Sequence, residues 1–195
     1  MVKGSAYRQA AYPIQPQFLD RWSSRAMSGE ALTAAELMSL LEAARWAPSS
    51  GNFQPWRFLY ARRDTDFWSA FLDLLVPGNL TWAQHAGALV LLISRTHLDG
   101  DAKPSVTHSY DTGAAWMSLA LQGISDGFVV HGIQGFDYER ARRVLRVPAE
   151  YAVEAMAVIG KPGDKAKLSE SLQKREMPNN RRPLAQSACE GPFSL

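Results

Sequence analysis

A polar segment framed by two prolines constrains this chain more than any other feature. Residues 47–58 read A-P-S-S-G-N-F-Q-P-W-R-F and separate a helical pattern from an alternating apolar pattern. Pro48 and Pro55 restrict the backbone on both sides, so the helix ends before the first and the strand follows the second. Two hydroxyls, a glycine and two side-chain amides lie between them. We interpret the segment as a stiff wall that hydrogen-bonds a flat polar ligand.

Helical and strand patterns are intermixed along the rest of the chain. Thr33 and Glu36 form a capping box before apolar residues at helical spacing. Pro16 is expected to open a short helix that runs into Arg21–Arg25. Further helices are predicted at about 65–75, 110–125 and 137–147, and strands at 56–60, 86–94, 128–136 and 152–159. Because the order shows no regular βαβ rhythm, the pattern favours an α+β fold.

Length and composition predict one ordinary globular domain over residues 1–195. The net charge of +2 gives no reason to expect nucleic acid or an acidic membrane as a partner. The N-terminus shows no signal-peptide pattern, and the longest apolar run, 86–93, is too short to span a bilayer. With a single cysteine, Cys189, the chain suits a reducing cytoplasm. Residues 1–15 are expected to form a loose N-terminal arm, and the polar residues 164–195 a C-terminal arm that wraps a second subunit.

Several common site types have no support in the sequence. The four histidines and the cysteine share no metal-like spacing, so we expect no metal site. The sequence also lacks the glycine-rich and serine-centred motifs of NTPases, dinucleotide-binding folds and hydrolases.

Three other segments carry groups suited to an anionic, planar ligand. Arg21-Trp-Ser-Ser-Arg25 brings two guanidiniums close together, and arginine offers a fork of donors that fits phosphate. Gly132 and Gly135 interrupt a strand, where the absence of a side chain lets the backbone approach a ligand. Arg181 and Arg182 lie side by side in a proline-framed turn of the C-terminal arm.

These segments resemble, in order, the signatures of the nitroreductase family, which binds FMN. Residues 47–58 match A-P-S-x-x-N-x-Q-P-W-x-F, and residues 21–25 match R-x-S-x-R, with Trp22 where a second basic residue is common. The resemblance extends from about Arg21 to Leu184. It implies the following cofactor-binding residues: Arg21, Trp22, Ser23, Arg25, Pro48, Ser49, Ser50, Asn52, Asn79, Gly132, Ile133, Gln134, Gly135, Arg181 and Arg182.

The same resemblance implies a fold and an assembly. The family fold is a three-layer α/β/α sandwich around a mixed, largely antiparallel sheet, in an intertwined homodimer with a C-terminal extension. Two FMN sites lie at its interface, and residues 48–54 would complete the pocket of the partner subunit.

An activity is implied as well. NAD(P)H would reduce non-covalent FMN at N5, and a small acceptor such as a nitroaromatic or a quinone would reoxidise it in a ping-pong reaction. Catalytic side chains are not expected, since the flavin carries the chemistry and Arg25 tunes it. Two alternatives stay open: a flavin store or sensor without turnover, and a member with oxidase or flavin-fragmenting chemistry. The sequence leaves open the acceptor, the choice of NADH or NADPH, the role of the loop at 97–108, and whether Trp22 and Gln134 change the substrate range.

Overall fold

A computed structural model describes residues 2–98, 100 and 103–194. The expected N-terminal arm, the loop at 97–108 and the C-terminal arm each include residues outside this description. These are Met1, Asp99, Asp101, Ala102 and Leu195.

The described strands form one antiparallel sheet. Its members are β1 (Trp56–Arg62), β2 (Ala88–Arg95), β3 (Val129–Ile133) and β4 (Tyr151–Gly160), in the spatial order β1-β2-β4-β3. β2 lies between β1 and β4, and helices cover both of its faces. It is therefore buried on every side, which explains its unbroken apolar sequence. β1 is an edge strand, so one side of its backbone has no partner strand within the described part of the chain.

Helices cover both faces of this sheet. Within the described residues they are α1 (Pro16–Asp20), α2 (Ala34–Arg45), α3 (Trp68–Leu72), α4 (Pro77–Ala83), α5 (His108–Ser125), α6 (Tyr138–Val144) and α7 (Glu170–Arg175). Short 3-10 turns lie at Gly4–Ala6, Ser50–Asn52, Lys165–Lys167 and Leu184–Gln186.

Two apolar cores separate the helices into layers. Because side chains alternate along a strand, Leu89, Leu91 and Ile93 of β2 pack with α3, α4 and α6. Val90 and Leu92 point the other way and pack with α2 and α5. The predicted α+β sandwich of three layers is therefore confirmed.

Local sequence signals set several element ends as predicted. Thr33 accepts a hydrogen bond from the Glu36 N–H, and the Glu36 carboxylate accepts one from the Thr33 N–H, which closes the capping box. Asp137 caps α6 through the Arg140 N–H. Gly127 follows α5 with φ +80°, a conformation that favours glycine.

Other expectations were wrong in detail. The helix expected over 65–75 is only the five-residue α3, because Asp64 has a φ of +65° and Leu75 leaves to pair with Phe136. The predicted site residue Asn79 lies on α4, a helix that the sequence patterns did not indicate. The N-terminal arm is docked rather than loose through residues 2–8, which bond to Leu19, Asp20, Arg21 and Trp22.

Candidate functional site

The segment Arg21–Arg25 is extended and does not continue the preceding helix. α1 ends at Asp20, and Arg21 has φ −66° and ψ 122°. Successive side chains of an extended segment point to opposite sides. Trp22 and Ser24 are buried, whereas Arg21, Ser23 and Arg25 are half-buried. The two predicted guanidiniums therefore lie on one side, and the predicted contact of Trp22 with a ligand is limited to its backbone.

A buried carboxylate from the C-terminal arm holds this segment in place. Glu176 Oε1 accepts hydrogen bonds from Ser24 Oγ at 2.5 Å, from the Arg25 N–H at 2.7 Å and from the Ala26 N–H at 3.0 Å. Its other oxygen, Oε2, lies 3.9 Å from Arg25 Nη1, which is an electrostatic contact and not a hydrogen bond. Glu176 is only 6% exposed, so these are charge-assisted bonds in a dry environment.

A neutral histidine connects the segment to strand β3. His131 Nδ1 lies 3.0 Å from the Ser24 carbonyl oxygen, so this nitrogen carries the proton and donates it. Burial lowers the pKa of His131 to about 4, with smaller contributions of both signs from neighbouring charges. Its ring packs 4.6 Å from that of Trp82, and the Arg25 guanidinium lies 5.9 Å from the Trp82 ring. At neutral pH the arginines therefore carry the positive charge here.

Gly132 of β3 and Gly135, two residues beyond its end, lie in close contact with side chains from α5 and α4. A Cβ on Gly132 would lie 2.8 Å from the ring of Trp116, and the Arg21 guanidinium lies 5.9 Å from the same ring. A Cβ on Gly135 would lie 2.5 Å from Asn79 Nδ2, which donates a hydrogen bond of 3.0 Å to the Gly135 carbonyl. The structure thus brings Arg21, Gly132, Gly135 and Asn79 into one region, with Trp116 between the first two.

Two neighbours of these glycines complete the predicted strand end. Ile133 is buried, and Gln134 is exposed. The N–H of Gly135 makes no hydrogen bond to another described residue.

Arginines from three parts of the chain form a cationic cluster. Burial lowers the pKa of Arg21, and the nearby charges of Arg181 and Arg8 lower it further. None of the three forms an ion pair with a carboxylate of the described residues. Arg181 bonds only to oxygens of Asn179 and Asn180, and Arg182 is exposed beside it. Such a cluster favours an anionic ligand.

The proline-framed wall makes its own contacts, none of them a hydrogen bond, ion pair or ring contact with this cluster among the described residues. The Ser50 N–H donates to Asp111 Oδ2 at 3.2 Å, at the first turn of α5. Ser49 Oγ accepts from the Gln54 N–H at 3.0 Å. Among the described residues, no hydrogen bond, ion pair or ring contact joins residues 48–54 to 21–25, 132–135 or 181.

The wall has an unusual backbone. Gly51, Asn52 and Gln54 all have positive φ values, of 55°, 57° and 50°. Non-glycine residues adopt this region at a cost and usually at functional sites. Pro48, Ser50 and Asn52 are exposed and Ser49 is half-buried, so their polar groups remain accessible to a ligand.

Sequence reasoning missed two residues of this region. Glu176 is one of several charged residues in a polar arm, and no local pattern distinguishes it. Arg8 lies in an arm that was expected to be loose, although its guanidinium bonds to both Arg21 and Asn179.

Possible metal ligands and membrane-spanning helices also bear on the type of site. The part of the chain that the structure describes holds no group of three or more His, Cys, Asp or Glu side chains that could bind a metal. Within the same part, no helix combines the length and the apolar character needed to cross a bilayer.

Comparison with known proteins gives one family model and several similar chains. The model of the nitroreductase family matches residues 19–80. A solved structure of an oxidoreductase containing FMN is 46% identical, covers 96% of both chains and superimposes with a TM-score of 0.93. A putative nitroreductase from Desulfovibrio desulfuricans, solved in complex with FMN, is 25% identical over 95% of this chain and 100% of its own, with a TM-score of 0.70. The NADH dehydrogenase of Thermus thermophilus is 27% identical and covers 79% of this chain and 89% of its own.

These likenesses agree with the order of the sequence segments and with the three-layer fold. The chain belongs to the nitroreductase family.

Proposed function

We propose that this protein is an FMN-dependent oxidoreductase that uses NAD(P)H. The observation that carries the proposal is the meeting of Arg21 and Arg181, which form no ion pair with a carboxylate of the described residues, beside the end of β3. This arrangement places a cationic site suited to a phosphate beside the end of β3. The FMN in two of the similar solved structures and the NADH dehydrogenase among the relatives support the same assignment.

The residues present fit FMN group by group. The phosphate would be bound by the guanidiniums of Arg21, Arg181 and Arg182. Its negative charge would neutralise the positive charge of the cationic cluster. The exposed Gln134 and the half-buried Gly135 lie just beyond β3, and the Gly135 N–H, which bonds to no other described residue, is available as a donor to the ring. FAD would require space for an adenosine beyond the phosphate, and no segment of the chain offers a motif for it.

The redox chemistry would be supplied by FMN held by these residues, with NAD(P)H as the hydride donor and a small molecule such as a nitroaromatic or a quinone as the acceptor in a separate half-reaction. Arg25 supplies positive charge where negative charge develops on reduction, in a partly dry site. Glu176 fixes the backbone of Arg25, so the guanidinium is held before any ligand arrives.

We infer further that two chains build each site. Among the described residues of one chain, no hydrogen bond, ion pair or ring contact joins the 48–54 wall to the arginine cluster, although both carry family signatures. In a homodimer the wall of one subunit would complete the site of its partner.

Exposed apolar surface supports this assembly. Val106 and Tyr110, at the start of α5, are 94% and 81% exposed, and Gly113 continues the same face. A groove of about 670 Å³, lined by Met38 and Phe58 among others, runs between α2 and the unpaired edge of β1. An extended segment can pair with such an edge. Residues 179–194 of the C-terminal arm are exposed and include Leu184 and Phe193, so this stretch is the proposed occupant.

The proposal is tested by releasing the bound flavin and by anaerobic reduction. Denatured protein should release FMN, and NADH or NADPH should bleach the bound flavin. An added quinone or nitroaromatic should then restore its colour. Release of FAD, or failure to take up any flavin, contradicts the cofactor assignment. A yellow protein that neither nicotinamide bleaches favours the flavin store or sensor.

Use of a reduced nicotinamide, with a single cysteine in the chain, favours a cytoplasmic location.

A further inference from the structure

The N-terminal arm is built into the cationic cluster through a single arginine. Arg8 Nη1 donates to the carbonyl oxygens of Leu19 at 3.0 Å and Arg21 at 2.7 Å. Its Nε donates to the Asn179 carbonyl at 2.8 Å, and Nη2 lies 3.4 Å from Asn179 Oδ1. One guanidinium thus links the backbone at Arg21 to the backbone two residues before Arg181.

The charge of Arg8 is not neutralised by these bonds. All of its acceptors are carbonyl or amide oxygens, and no carboxylate of the described residues pairs with it. Burial lowers the pKa of Arg8, and the nearby charge of Arg181 lowers it further. Bringing three like charges together costs free energy that a bound anion offsets.

The arm is shaped for this contact. A Cβ on Gly4 would lie 1.9 Å from the Leu19 carbonyl oxygen and 3.0 Å from Arg8 Nη1, so only glycine permits the approach. The Trp22 indole N–H donates to the Val2 carbonyl at 2.8 Å, and Ser5 bonds to Asp20. These contacts dock residues 2–8 against the segment that carries Arg21.

We propose that Arg8 is a positioning residue and third cation of the phosphate site, so that the N-terminal arm helps to select a phosphate monoester. It sets the distance between Arg21 and Arg181 and adds its own charge to theirs. This inference rests on the proposed function, since it takes the phosphate of FMN as the ligand. It predicts that Arg8 matters for FMN but not for riboflavin, which has the same ring without the phosphate.

The test compares the dissociation constants of FMN and riboflavin by flavin fluorescence. Arg8→Gln should raise the constant for FMN by about ten- to a hundredfold, the range for a lost charge-assisted bond, and leave that for riboflavin unchanged. Arg8→Lys keeps the charge but loses the fork, so its effect on FMN should be smaller than that of Arg8→Gln. Arg143→Gln is the matched control, because Arg143 is exposed on α6 and its substitution removes the same positive charge. It should change neither constant.

Gly4→Ala provides a second variant that leaves every charge in place. It should also weaken FMN and spare riboflavin, because the added methyl group displaces the Arg8 guanidinium from Leu19. If Arg8→Gln does not fold, Gly4→Ala and Arg8→Lys carry the test. If the Arg8 variants lose equal affinity for FMN and riboflavin, or lose affinity for neither, the proposed role of Arg8 is overturned. The proposed function still stands in that case, provided that the wild-type protein binds FMN. Wild-type protein that binds FMN no more tightly than riboflavin overturns both.

Discussion

Replacing Glu176 by alanine removes the buried carboxylate that joins the C-terminal arm to Arg25. Two backbone N–H groups and the Ser24 hydroxyl lose their acceptor, at bond lengths of 2.5 to 3.0 Å. A hydrogen bond to a charged group contributes roughly 1.5–3 kcal/mol, and removing one partner of a buried charged group costs about 3–5 kcal/mol. We therefore expect Glu176→Ala to lower the free energy of unfolding by about 3–5 kcal/mol.

A graded pair of substitutions separates this effect from general loss of charge. Glu176→Gln keeps an acceptor oxygen, and neutral hydrogen bonds are about half as strong, so about 1–2 kcal/mol should be lost. Glu170→Gln is the control, because Glu170 is exposed in the same arm, and it should stay within about 0.5 kcal/mol of wild type. Urea unfolding followed by tryptophan fluorescence measures all three. The reasoning is refuted if Glu176→Ala unfolds at the same urea concentration as the Glu170 control.

Two further outcomes follow from the charges of the site. The buried His131 has a pKa of about 4, so the unfolded chain takes up a proton that the folded chain does not as the pH falls from about 6.5. The free energy of unfolding should therefore drop by about 2–4 kcal/mol between pH 6.5 and 4, and His131→Asn, measured in parallel, should lack this component. Arg25→Ala should slow flavin reduction more than it weakens flavin binding, whereas Arg181→Ala should mainly weaken FMN binding, by about ten- to a hundredfold. Stopped-flow reduction and fluorescence titration measure the two effects, and variants that match wild type in both would contradict the assignments.

Local signals were sufficient for much of the fold. The capping box at Thr33, the alternation after Trp56 and the stop at Gly127 each act within a few residues, so the sequence predicts them directly. The unbroken apolar run of β2 likewise follows from burial on both faces.

Long-range contacts explain what could not be predicted. No helix-breaking residue follows Asp20, yet the chain is extended after it. The backbone N–H groups of Arg25 and Ala26 bond to Glu176, about 150 residues further along the sequence, and this contact holds the segment in place. The docking of Arg8 depends in the same way on Asn179, which is 171 positions further along the sequence. Contacts between residues so far apart in sequence produce no pattern within a short window, so they could not be predicted.

The family resemblance supplied the segments of the candidate site but not their arrangement. Arg21, Gly132 and Arg181 belong to one region of the chain's surface, and the sequence order alone does not show this. The lack of a hydrogen bond, ion pair or ring contact between the 48–54 wall and that region of the described residues appears only in three dimensions, and it is the basis for proposing a site shared by two subunits.

Mixing two complementary variants tests the shared site most directly. One chain carries Arg21→Ala and Arg25→Ala, the other Ser49→Ala and Asn52→Ala, and each homodimer should bind FMN poorly. A heterodimer would place both lesions in one pocket and leave the other pocket with every residue intact. We predict that unfolding and refolding the two chains together restores one FMN per heterodimer, measured by fluorescence titration. Refolded mixtures that bind no more FMN than the separate variants would contradict the shared site.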